Sequence, residues 1–197
     1  MKKIIRQEFD RSAEVLQDMA GDQTLLDGVE TSTRLFLEAL RAGRKILFAG
    51  NGGSAADAQH LAAELVGRMS FDRPGLPAFA LTTDTSALTA IGNDYGYELV
   101  FARQVQAVGT RGDVFVGLST SGRSPSILRA LAEAKAGGLR TVGLTGASGG
   151  DMAALCDLCL RVPSLETPKI QQGHIVIGHV ICDLVEKSMF GDGGSHA

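Results

Sequence analysis

Four polar residues with chemical potential, His60, Glu64, Gln171 and His179, sit in helical-looking stretches otherwise made of small or apolar side chains. The first pair follows a glycine-rich turn, in Asn51-Gly52-Gly53-Ser54-Ala55-Ala56-Asp57-Ala58-Gln59-His60-Leu61-Ala62-Ala63-Glu64. A spacing of four places His60 and Glu64 about 40° apart on one helix face, one turn apart. Gln171 and His179 are spaced by eight, which leaves them on roughly one side of a helix, two turns apart. Two imidazoles, a carboxylate and an amide oxygen suit a divalent metal, zinc first. They also suit proton transfer, since His and Glu can be tuned into acid and base near neutral pH. The plainer alternative is a pair of solvated surface groups. Ala56, Leu61, Ala62 and Ala63 around His60 argue against it, because a free surface would carry charge there.

These residues need a scaffold, and the apolar runs describe one. Ile5, Phe9, Ala13 and Leu16, then Leu25, Val29, Leu35, Phe36 and Leu40, recur at helical spacing on either side of a break at Gly21-Asp22. Short apolar runs follow at 45–49, 77–81, 114–118, 141–145 and 158–162, each separated from the next by a helical stretch. That alternation predicts an α/β fold, an open five-stranded parallel sheet covered by helices on both faces. A long last helix is expected from about Pro168 to Phe190. The organisation expected is a helical N-terminal extension at 1–42, one α/β domain at 43–190 and a frayed tail at 191–197.

Ligands in such sheets gather beyond the carboxyl ends of the strands. Two loops there carry suitable chemistry. Gly50-Asn51-Gly52-Gly53-Ser54 exposes backbone N–H groups and opens the helix of His60. Ser119-Thr120-Ser121-Gly122-Arg123-Ser124-Pro125 offers hydroxyls, with Ser124 at an N-cap position and Pro125 at the first helical position. Hydroxyls and free amides at the positive end of a helix make a phosphate site without a lysine. A serine cluster that merely caps a helix is the alternative.

The first loop formally matches a dinucleotide fingerprint, but Asp84, the nearest acidic residue in position, lies too far beyond the glycines for a nicotinamide site. A P-loop is excluded, since neither loop ends in Gly-Lys-Ser/Thr. The 197 residues, 44% hydrophobic with formal net charge −3, suffice for one substantial core and point away from nucleic acid. Met1–Arg11 lacks an uninterrupted apolar segment and no run approaches a membrane span, so a cytoplasmic protein without membrane partners is expected. Cys156, Cys159 and Cys182 are an odd number, and the Cys156/Cys159 spacing has no second pair, so all three are expected to be structural thiols.

With these motifs in view, the chain resembles the sugar isomerase (SIS) family, in its phosphoheptose isomerase branch. The matching segments are Gly50–Ser54, Asp57–Glu64, Ile91–Gly96, Ser119–Gly122 with Ser124, and Thr167–His179. The resemblance implies a SIS fold of flavodoxin-like, three-layer type and a homotetramer with active sites at subunit interfaces. It implies conversion of sedoheptulose 7-phosphate to D-glycero-D-manno-heptose 7-phosphate, the first step toward bacterial nucleotide-activated heptose. It implies one zinc ion per subunit held by His60, Glu64, Gln171 and His179. Substrate contacts are implied for Asn51, Gly52, Gly53, Glu64, Asn93, Asp94, Ser119, Thr120, Ser121, Ser124 and Gln171. Arg123 and Gln172 receive no role. Aldose–ketose isomerisation needs a base beside a carbonyl and stabilised negative charge on oxygen; Glu64 is the expected base and His179 the acid. Two other SIS readings stand beside this one, a non-catalytic protein associating with the replication initiator and a sugar-phosphate-sensing module. The presence of His179 favours the enzyme.

Overall fold

The computed structural model of the chain describes residues 1–191. Five strands, β1 (Ile46–Gly50), β2 (Ala78–Ala80), β3 (Val114–Leu118), β4 (Arg140–Gly146) and β5 (Leu158–Val162), form one sheet in the order β2-β1-β3-β4-β5. Every pairing is parallel. The strands fall on the five apolar runs, with boundaries shifted by a residue or two. Their near-continuous burial, complete in β1 and β3, reflects a sheet covered on both faces.

Side chains alternate between two cores. Ile46, Phe48, Val116, Leu144 and Val162 face one side, where α2 (Gln23–Arg41), α3 (Gly53–Val66) and α8 (Thr167–Phe190) pack. Leu47, Ala49 and Phe115 face the other, beneath α5 (Val100–Val108) and α6 (Pro125–Ala136). The remaining helices are α1 (Lys2–Gly21), α4 (Thr85–Tyr95) and the one-turn α7 (Met152–Leu155). The helical break expected at Gly21-Asp22 is there, and the Asp22 carboxylate accepts the Leu25 N–H at 3.2 Å to cap α2. α2 lays Leu25, Val29, Phe36 and Leu40 into the first core, whereas α1 leaves Ile4, Ile5 and Phe9 exposed. Of the expected tail, all but Gly191 lies outside the described residues. The cysteines are free; Cys182 is buried, and Cys156 and Cys159 are half-buried against the second core. No helix among the described residues is long and apolar enough to cross a membrane.

The strand order reverses between β1 and β3, so the loops that follow these two strands open on either side of the switch point. Those are the glycine loop and the serine loop. Gly52, at φ +56°, turns the chain from β1 into α3, a conformation that disfavours side chains. α3 and α8 run side by side, and at Gly178 the missing side chain makes room for Leu61, where a methyl group would collide.

Candidate functional site

His60 and Glu64 project from α3 toward His179 on α8. The two Nε2 atoms of His60 and His179 are 2.8 Å apart, and His60 Nε2 lies 3.2 Å from Glu64 Oε1. One ligand atom from each of the three lies within 4.8 Å of the others. His60 is exposed while Glu64 and His179 are half-buried, so the cluster opens to the surface. Two nitrogen or oxygen ligands of a tetrahedral ion stand about 3.3 Å apart, close to these separations. The donor set also fits, with two imidazoles and a carboxylate. One turn before His60, burial holds the Asp57 carboxyl above its usual range, His60 partly opposing this, and one Asp57 oxygen has no hydrogen-bond partner.

Gln171, the fourth expected ligand, lies on α8 two turns before His179. Its carboxamide packs on Gly53 at the start of α3, where any side chain at position 53 would overlap it. Gln171 stands about 12 Å of helix rise before His179. His60, Glu64 and His179 thus converge, and Gln171 lies against Gly53 of the glycine loop.

The serine loop is built differently from a simple cap. Ser124 is the N-cap of α6 and Pro125 follows it, but the Ser124 hydroxyl makes no cap bond. It pairs instead with the Ser119 hydroxyl at 3.0 Å, leaving the helix N-terminus without a side-chain acceptor. Ser119 is buried, Thr120 half-buried and Ser121 exposed, and the Ser121 hydroxyl accepts the Arg123 N–H at 3.2 Å. An open cavity of about 570 Å³ lies beside Ser124, lined also by Asn51, Tyr97, Pro125 and Ser126. Asn93 and Asp94 are exposed near the end of α4, with the Asn93 amide donating to Asp94 at 2.8 Å.

Tyr97, Ser126 and His174 carried no distinctive sequence signal. The Asn51 amide donates to the Ser126 hydroxyl at 3.0 Å, and its oxygen accepts the Tyr97 O–H at 2.8 Å. These bonds aim Asn51 across the cavity mouth. His174 is fully buried on α8 with neither ring nitrogen hydrogen-bonded among the described residues, and burial lowers its pKa to about 4. The Thr145 backbone lies near enough to oppose that shift slightly, though not at hydrogen-bonding geometry.

The SIS domain pattern matches residues 9–146. The phosphoheptose isomerase of Burkholderia pseudomallei (strain 1710b) is 61% identical over 177 residues, 90% of each chain. That of Aneurinibacillus thermoaerophilus is 57% identical over 190 residues, 96% of each chain. Among solved structures, the phosphoheptose isomerase from Neisseria gonorrhoeae superposes with a TM-score of 0.89 at 43% identity, over 94% of this chain and 98% of that one.

Proposed function

Because the chain belongs to the SIS domain family, among the phosphoheptose isomerases, we propose that it converts sedoheptulose 7-phosphate to D-glycero-D-manno-heptose 7-phosphate, as the first step of heptose activation. The observation that carries the chemistry is the convergence of His60, Glu64 and His179 from two helices. Ketose-to-aldose isomerisation moves a proton from C1 to C2 and another between the two oxygens, through an enediol. Glu64 is the base at carbon. Its Oε1 faces His60 at 3.2 Å, which leaves Oε2 for the proton. His179 moves the proton between the sugar oxygens.

His60, Glu64 and His179 would hold zinc, with Gln171 as the further ligand. When bound, the ion supplies a positive charge for the oxygen that becomes negative in the transition state. The phosphate is held by Ser119, Thr120, Ser121 and Ser124 with the free N–H groups that begin α6, and Asn51, Gly52, Gly53, Asn93, Asp94 and Gln171 contact the sugar.

His60 lies about 10 Å of helix rise beyond Gly53, so the acid–base cluster stands apart from the glycine loop of the same chain. The cluster instead opens outward beside Val176, Val180 and Leu184, an exposed apolar row on α8. Together with exposed Ile4, Ile5 and Phe9 on α1, this row supports a homotetramer in which each site is completed across a subunit interface, packed partly by the N-terminal helices. The cytoplasm is the matching compartment for a sugar-phosphate substrate.

The decisive experiment follows sedoheptulose 7-phosphate by NMR with the purified protein, before and after treatment with a chelator. Appearance of the aldose phosphate, lost on chelation and restored by zinc, is expected. A protein that binds the ketose phosphate but never forms the aldose would be a sensor and not an isomerase.

A further inference from the structure

α3 and α8 carry the whole cluster, so the placement of one helix against the other sets its geometry. A buried ion pair outside the cluster joins them. The side chains of Arg73 and Glu186 are 2% and 0% exposed, with Arg73 Nε donating to Glu186 Oε2 at 2.9 Å. The same guanidinium donates to the carbonyl of Glu64 at 2.8 Å, of Leu65 at 2.6 Å and of Pro74 at 3.0 Å. The Glu64 and Leu65 carbonyls belong to the last turn of α3, where a helix leaves its acceptors unpaired and its dipole favours a cation. Glu186 in turn accepts the N–H groups of Met69, Ser70 and Phe71 at 2.8, 2.6 and 3.3 Å. It stands seven residues beyond His179, two turns along nearly the same face of α8.

We propose that Arg73 and Glu186 are positioning residues for the isomerase: Arg73 grips the backbone of Glu64 itself, and Glu186 references it to the helix of His179. Gly178, seated on Leu61, and Gln171, packed on Gly53, are further points of contact between the helices. Together these points fix both their separation and their register. A buried ion pair adds little stability over an apolar pair of the same volume, so stability alone does not account for this one. Its geometry needs arginine in particular, because Lys has one compact charge and cannot serve a carboxylate and two helix carbonyls in one plane. The inference rests on the roles proposed for Glu64 and His179.

The test is a double-mutant cycle, run well below the melting temperature of each variant and after circular dichroism shows it folded. Arg73→Lys should lower kcat about 10²-fold, the cost of a misplacement near 1 Å, with KM little changed. In a Glu64→Gln background the same substitution should cost almost nothing, because the group being positioned is already disabled. A merely structural role would lower kcat by the same factor in both backgrounds, and that result would overturn the proposal. Zinc affinity, read by chelator competition, should weaken about 10- to 100-fold in Arg73→Lys. Glu186→Gln carries the same cycle if Arg73→Lys does not fold. A wild type that binds zinc but does not isomerise the sugar phosphate would refute the proposed function, and zinc affinity would then decide the positioning role. Unchanged affinity in a folded variant would overturn it.

Discussion

His60 and His179 meet Nε2 to Nε2 at 2.8 Å although 119 residues separate them in sequence. Two neutral imidazoles at that distance need one N–H to donate and one lone pair to accept. If both nitrogens carried protons, the two N–H groups would point at each other. A shared cation would satisfy both lone pairs together, with the Glu64 carboxylate beside them as a further ligand.

The purified protein should therefore carry about one divalent ion per chain, most readily zinc. His60→Ala and His179→Ala should each lose most of it, as measured by elemental analysis after gel filtration. Full metal content in both variants would place the ion elsewhere.

Glu64→Gln preserves size and hydrogen bonding while removing the base. His179→Ala removes the acid. Each is expected to lower kcat by about 10²–10⁴-fold, with sugar-phosphate binding measured by calorimetry affected far less. Near-normal turnover in both would show that the proton transfers are made by other groups.

The serine loop gives a contrasting set. Ser124 directs its hydroxyl to Ser119, and Ser121 is exposed beside them, so the proposed phosphate site offers neutral donors. Hydrogen bonds to a charged group are worth about 1.5–3 kcal/mol each. Ser121→Ala and Ser124→Ala should accordingly raise KM several-fold or more, and Arg123→Ala much less. Unphosphorylated sedoheptulose should be a very poor substrate. Steady-state kinetics in which Arg123 dominates and the serines are silent would move the phosphate out of this loop.

Much of this architecture is readable from residue order because its signals are local. Apolar runs such as Ile46–Ala49 and Val114–Leu118 bounded by glycine or polar loops announce buried parallel strands, and their alternation with helices leaves few topologies. The helix of His60 and Glu64 follows from spacing, and the glycine and serine loops follow from their place after strands. What periodicity cannot convey is how α3 sits against α8. That depends on a missing side chain at Gly178 and on the Arg73–Glu186 pair, whose members are 113 residues apart. The same limit applies to Gln171, whose helical face is predictable but whose packing on Gly53 is set by helix placement. Ser124 shows a subtler case. Its type and position predict an N-cap, yet a neighbouring hydroxyl competes successfully for its oxygen.

His174 should give the protein a distinctive acid sensitivity. Burial lowers its folded-state pKa to about 4, against an ordinary histidine value of 6.5. A depressed pKa means that the unfolded chain binds the proton more tightly than the folded one. The stabilising contribution is present above pH 6.5, declines as pH falls below that, and is gone once pH passes below about 4. The full change corresponds to about 3 kcal/mol. Lowered carboxyl pKa values such as that of Glu186 act in a separate window, below their ordinary value of 4.5. Denaturant melts at pH 7 and pH 5, in chelator so that metal release does not contribute, should thus show wild type losing stability across a range where Glu186 contributes little. His174→Leu removes the titrating ring and the two unpaired nitrogens, so its stability should vary much less over the same interval. Equal losses in the two proteins would mean that His174 is not the group being protonated.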